Sequence, residues 1–174
     1  VSFGFDDGRH ITFSAETRRR EGQVYSTLGG FVREFELTLL AADERDVIWL
    51  RTDLRGERVS LFPLTLTPEA RKAMFLAFAQ FADELDRQPQ WYNTLLDNCT
   101  TVPPRIVRSL NARLPLDWRV LASGRLPAYL HDLGALRPDL GLPEVEAKAV
   151  LPVFGPWPDD GLAYSRAIRA AWAP

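Results

Sequence analysis

Trp91-Tyr92-Asn93-Thr94-Leu95-Leu96-Asp97-Asn98-Cys99-Thr100-Thr101 holds the one cysteine of the 174-residue chain, among small polar residues that an apolar core would not select. The run after it, Val102-Pro103-Pro104-Arg105-Ile106-Val107-Arg108, opens like a helix, because proline suits a first turn whose N–H groups have no intrahelical partner. A thiol just ahead of such a turn sits at the positive end of the backbone dipole, which favours the nucleophilic thiolate. The stretch therefore predicts a catalytic cysteine, with backbone N–H groups from Cys99 to Thr101 as donors for a developing oxyanion. The competing reading is structural, since free cysteine commonly serves as a small buried hydrophobe.

Upstream of this stretch, Thr67-Pro68-Glu69 marks a helix start, with a capping hydroxyl, proline in the first turn and an acid near the positive end. The helix is expected to run to about Asp86 and to bury Met74, Phe78, Phe81 and Leu85, spaced by three and four, with Phe75 and Ala82 widening the stripe. Gln88-Pro89 ends it. Earlier still, Val1–Phe5 and Arg9–Ala15 alternate around Asp6-Asp7-Gly8 and predict a β-hairpin, with His10 on the less buried face. Phe35–Ala42 reads as a strand broken by Asp43-Glu44-Arg45-Asp46. Val47–Thr52 reads as a second strand, and Val59–Leu66 as a third that Pro63 confines to an edge or makes irregular. Tyr25–Phe31 reads as a short turn or helical segment. Downstream, Asp117–Leu121 and Pro127–Leu133 read as short helices, the second stopped by Gly134 and holding a half-buried His131. Pro152–Pro158 reads as a loop, and Asp159–Trp172 as a closing helix with Leu162, Ile168 and Trp172 inward.

An apolar fraction of 46% and a charged fraction of 25% are those of an ordinary globular chain, and the length fits a single domain over 1–174. A formal net charge of −2 gives no reason to expect nucleic-acid binding. One cysteine and two histidines, His10 and His131, leave neither a disulfide nor a histidine-based zinc site to expect, so no metal and no cofactor is expected. No run of 18 apolar residues is present. The chain opens at Val1 already inside a strand-like pattern, so a preceding segment is expected. The run Glu16-Thr17-Arg18-Arg19-Arg20 leaves the hairpin; Glu16 is placed to orient a histidine, and the guanidinium groups suit anionic headgroups or a carboxylate. The alternative for this run is a solvated loop.

Val1–Gly8, Phe13–Arg18, Ala42–Ile48, and Tyr92–Leu95 with Asn98–Thr101 occur in this order and at similar spacing in the bacterial family of Lnb N-terminal periplasmic domains, which the chain resembles over essentially its whole length. The cysteine motif is also similar to the Asn-Cys motif of circularly permuted NlpC/P60-like thiol enzymes. These resemblances imply an α+β fold, an antiparallel sheet packed against helices in a permuted papain-like arrangement. They imply thiol-dependent acyl transfer to or from lipoprotein or lipid, through a Cys99 thioester, on the periplasmic side of the cytoplasmic membrane, with the membrane surface as a partner. Cys99 matches the nucleophile and Glu16 the acidic orienting position; Asn98, Thr100, Tyr25 and Arg18 are the implied oxyanion or substrate contacts. The family histidine precedes Ser2–Phe5, which places it upstream of Val1; within this chain the alternative is His10. A cysteine peptidase or amidase acting on cell-wall peptide, and a periplasmic binding domain with an inert cysteine, are the rival functions.

Overall fold

A computed structural model of the chain describes residues 1–23, 34–94, 96–111, 114–115 and 117–173. Its class is α+β: β1 (Ser2–Gly4), β2 (His10–Arg18) and β3 (Glu36–Asp43) form a three-stranded antiparallel sheet in that order. Six α-helices accompany it among the described residues: α1 (Glu44–Trp49), α2 (Pro68–Arg87), α3 (Val102–Leu110), α4 (Leu126–Asp132), α5 (Leu142–Ala149) and α6 (Gly161–Ala167). The predicted hairpin forms, with β1 and β2 paired Ser2 to Thr12, Phe3 to Ile11 and Gly4 to His10. Gly8 supplies the positive φ of 83° that its turn requires.

The chain divides into two compact units. The first comprises Val1, Phe13–Leu40 and Thr67–Arg125. Its core is the stripe expected of α2: Met74, Ala77, Phe78, Phe81 and Leu85 are buried, together with Phe13 and Ala15 of β2, Leu37 of β3, and Val102 and Ile106 of α3. The Phe13 ring meets Phe75 edge-on at 5.8 Å and Phe78 at 5.5 Å. Thr67 caps α2 by accepting from the Ala70 N–H at 3.2 Å, as its sequence signature demands. The segment Gln90–Tyr92 is bonded to the outer edge of β3, through Leu37 N to Gln90 O and Tyr92 N to Phe35 O, both 2.8 Å.

The second unit comprises Ser2–Thr12, Ala41–Leu66 and Leu126–Pro174. Ile48, Leu151, Tyr164 and Ile168 form its core, with Trp49, Val59, Leu61 and Phe154 packed around them. Here the structure corrects the sequence reading. The Val47–Thr52 run is helical, comprising the end of α1 and a π-helical turn over Leu50–Leu54. Asp43 starts it by accepting from the Arg45 N–H at 2.9 Å. The buried positions are 44, 47, 48 and 52. That spacing is the helical three-to-four repeat and not the two-residue alternation of a strand. Val59–Leu66 lies extended without becoming a strand: Ser60 and Val150 make one isolated bridge, and Pro63 can donate nothing to a ladder. Helix α5 was not foreseen, although Gly141-Leu142-Pro143-Glu144 carries a helix-start signature. The closing helix is shorter than predicted. It stops at Ala167, and a separate 3₁₀ turn over Ala170–Trp172 follows.

A thiol on a capped turn and a buried carboxylate beside a histidine

Thr101 is already right-handed helical (φ −91°, ψ −29°), so α3 effectively begins one turn before its first regular residue. Asn98 makes that turn. Its side-chain oxygen accepts from the N–H groups of Thr100 at 2.7 Å and Thr101 at 3.0 Å, and its carbonyl accepts from Val102 N at 3.0 Å. The Thr101 hydroxyl accepts from Asn98 N at 2.9 Å in return. This reciprocal pair is a capping box with asparagine and threonine in its two roles. Asn98 and Thr101 are buried by it, and Val102 behind them is fully buried.

Cys99 is left as the exposed residue of this turn. Its sulfur lies 4.0 Å from the Thr100 hydroxyl. The structure thus corrects the reading of Cys99 as a core hydrophobe: the burial goes to its polar neighbours, whose hydrogen bonds are satisfied within the turn. The Thr100 and Thr101 N–H groups expected to meet an oxyanion are both given to Asn98 Oδ1, whereas the Cys99 N–H donates to no described residue. The preceding loop is braced by paired bonds between Asn93 and Asp97, Asn93 N to Asp97 O at 3.1 Å and Asp97 N to Asn93 O at 3.0 Å. Asn98 Nδ2 donates to Thr94 O at 2.8 Å. Asp97 in turn holds Arg105 of α3 in an ion pair, and that guanidinium lies over the Phe81 ring, 4.9 Å from its centre.

Glu16 stands on β2 and accepts from the Ser14 hydroxyl at 2.7 Å. Arg18, two residues on, lies 3.7 Å from the Glu36 carboxylate. Tyr25 and the Tyr25–Phe31 segment fall outside the described residues. Alongside α3, a groove of about 440 Å³ runs over Phe81, Ile106 and Leu110, with Gln80, Gln90 and Arg105 at its rim.

The carboxylate that does face a histidine is Glu44, at the start of α1 in the second unit. It is fully buried and receives both guanidinium nitrogens of Arg169 at 2.7 Å and the Ser2 hydroxyl at 2.5 Å. Burial by itself pushes the Glu44 carboxyl upward, but the bonds from Arg169 and Ser2 outweigh it and hold the group below its ordinary value. His10 Nδ1 lies 3.8 Å from Glu44 Oε2, beyond hydrogen-bonding distance, and its Nε2 rests where a side chain at Gly4 would put its Cβ, 2.8 Å away. Contrary to the expectation of a less buried face, the His10 side chain is only 17% exposed. A cavity of about 400 Å³ in the same unit is lined by His10, Asp43, Arg45, Asp160 and Ser165. Sequence reasoning missed Glu44 because it lies in a run of charges, Asp43–Asp46, that reads as a solvated break; the helical spacing of the apolar residues after it was the available signal. His131 is half-buried, as expected, with Nε2 3.1 Å from Leu140 O.

Among the described residues, no three His, Cys, Asp or Glu side chains converge as metal ligands, and no helix is long and apolar enough to cross a membrane. The profile of the family described as Lnb N-terminal periplasmic domain matches residues 1–124. No curated protein and no solved structure matches the chain.

Proposed function

The chain belongs to the Lnb N-terminal periplasmic domain family, and from this premise we propose that it carries out thiol-dependent acyl transfer on lipoprotein or lipid at the periplasmic face of the cytoplasmic membrane, with Cys99 as nucleophile. One observation carries the reading: a turn that buries and satisfies Asn98 and Thr101 leaves the thiol between them outside. A residue selected for packing would have been the one taken inward.

In the first step a histidine takes the thiol proton, and the sulfur bonds to the ester carbonyl carbon. The carbon–oxygen bond then breaks, and the alcohol leaves with that proton. In the second step an amine attacks the thioester and gives one proton to the histidine, the carbon–sulfur bond breaks, the sulfur leaves and takes that proton back as the thiol, and the amide forms. The Cys99 N–H, which donates to no described residue, is the donor of the turn for the oxyanion of both steps. The base is a histidine, with His10 and any residue encoded upstream of Val1 as the candidates, and Glu16 fills the acidic position of the family pattern. This assignment goes with a permuted papain-like arrangement of strands and helices, which the order of β1–β3 before Cys99 supports.

The test is the pH dependence of Cys99 alkylation by iodoacetamide, in this chain and in the same chain with any residues encoded upstream. Alkylation that is fast below about pH 7, against about 8.5 for a free thiol, is the expected result. Loss of that reactivity in His10→Ala identifies His10 as the base. Reactivity seen only in the extended chain assigns the base upstream. Titration near the free value in both chains ends the proposal.

A further inference from the structure

We propose that Glu44 is the positioning residue of His10: its carboxylate holds the imidazole with the proton on Nδ1 and leaves Nε2 as the proton acceptor. The proposal rests on the acyl-transfer reading for its purpose, and for this histidine it moves the orienting role from Glu16 to Glu44. Glu16 stands six residues beyond His10 in the same strand, and that much extended chain spans about 20 Å. No side chain reaches back over such a distance. Glu44 Oε2, by contrast, lies 3.8 Å from His10 Nδ1, and among the described residues it is the one carboxylate at ion-pair distance from this ring. Asp43, Asp159 and Asp160 line the same cavity as His10, but Asp43 and Asp160 cap α1 and α6, accepting from Arg45 N and from Leu162 N and Ala163 N. Of the cations nearby, Arg9 is paired with Asp7, Arg45 donates to the carbonyls of Pro158 and Asp159, and Arg169 is held by Glu44 itself.

The hairpin aims the ring. Val1 and Phe13 exchange backbone bonds, Phe5 N donates to Arg9 O, and Gly4 faces His10 between such pairs, where opposed residues stand closest. With no side chain at Gly4 the ring rests over β1, its Nε2 2.8 Å from where a Cβ would stand. Ser2, two residues back, points to the same face and gives its hydroxyl to Glu44, so the carboxylate sits on the face of the hairpin that carries His10. Both guanidinium nitrogens of Arg169 fix the carboxylate further, and with the Ser2 bond they keep it ionised. His10 Nδ1 is buried and has no hydrogen-bond partner among the described residues. A buried polar atom in that state is costly, and a ring shift of about 1 Å brings it within reach of Oε2. Of the two neutral tautomers, only Nδ1–H turns a donor toward this charge, whereas Nε2–H turns a lone pair against it. A carboxylate that fixes the tautomer in this way leaves the other ring nitrogen to take a proton from a nucleophile.

The experiment is heteronuclear NMR of the imidazole nitrogens in the whole chain at about pH 8, where a histidine of ordinary pKa is neutral. The His10 signals are those lost in His10→Ala. Wild type should carry the His10 proton on Nδ1. Glu44→Gln removes the charge that selects this tautomer, and the population moves toward Nε2–H. Gly4→Ala displaces the ring with Glu44 intact and gives the same change, so the result does not hang on the folding of Glu44→Gln. Ser2→Ala takes one bond from Glu44 and leaves its charge, and it retains the wild-type tautomer, as Glu16→Gln does. An Nε2–H ring in the wild type overturns the proposal, and so does an Nδ1–H ring that survives both Glu44→Gln and Gly4→Ala. Cys99 alkylation then joins the pairing to the chemistry. With His10 as base, Glu44→Gln moves the pH profile of alkylation up by about one unit, roughly tenfold in rate at a fixed pH on its rising limb. A profile moved by His10→Ala and not by Glu44→Gln refutes the positioning alone. A Glu44-dependent tautomer beside a profile that neither variant moves supports the positioning and refutes His10 as the base of acyl transfer.

Discussion

Replacing Glu44 by glutamine removes one charge from a buried polar cluster and changes almost nothing in its shape. In the wild type the carboxylate is fully buried and takes hydrogen bonds from both guanidinium nitrogens of Arg169 and from Ser2. The amide keeps one acceptor oxygen, turns a donor toward a guanidinium, and leaves Arg169 without its counter-ion. Breaking a buried pair from one side costs about 3–5 kcal/mol. The Arg169 side chain is 32% exposed and keeps a bond to Ser165 O at 2.8 Å, so the cost falls at or below the lower end of that range, about 2–3 kcal/mol or roughly a hundredfold in the folding equilibrium. Urea unfolding followed by tryptophan fluorescence measures it. The pH dependence gives an independent check. The Glu44 carboxyl is held below its unfolded value of 4.5, so its contribution is fully present above about pH 4.5 and is lost as the pH falls through the lower folded value. Glu44→Gln should remove that part of the acid limb. A cost within about 0.5 kcal/mol of wild type, the spread ordinary for surface substitutions, would refute the reasoning, as would an unchanged acid limb.

Asn98→Ala strips the Thr100 and Thr101 N–H groups of their acceptor and should lower stability by about 1–2 kcal/mol while altering the alkylation rate of Cys99, read by denaturation and by iodoacetamide kinetics on one sample. Phe78→Ala opens a cavity at the fully buried centre of the first unit, where the Phe13 ring packs, and should cost about 3–5 kcal/mol in urea. Gly4→Ala puts a methyl group where His10 Nε2 now lies, 2.8 Å from the new Cβ. The His10 ring should swing away from Glu44, which ring-proton NMR shifts would report; unmoved resonances would show that the ring is not held by this contact. Tyr164, whose hydroxyl burial pushes up to about 12, should stay largely un-ionised in folded protein at pH 11, where an unfolded tyrosine is mostly ionised, as absorbance near 295 nm would show.

Much of this was determined by local sequence. The hairpin follows from alternation around Asp6-Asp7-Gly8, and α2 from Thr67-Pro68 and a three-to-four apolar stripe, because turn chemistry, caps and periodicity act over a few residues. The same holds for Asn98-Cys99-Thr100-Thr101, whose small polar residues marked a turn at the head of α3. Tertiary structure decided what those signals left open. Val47–Thr52 has the composition of a strand, but its buried positions follow the turns of a helix whose first residue, Glu44, is closed in by Ser2 and by Arg169, 125 positions along the chain. Nothing within a short window records that partnership, so Glu44 reads as surface charge until Arg169 arrives. The exposure of Cys99 was decided in the same way. Its own side chain is compatible with a core, and it stands outside because Asn98 and Thr101 satisfy each other's polar groups and so can be buried in its place.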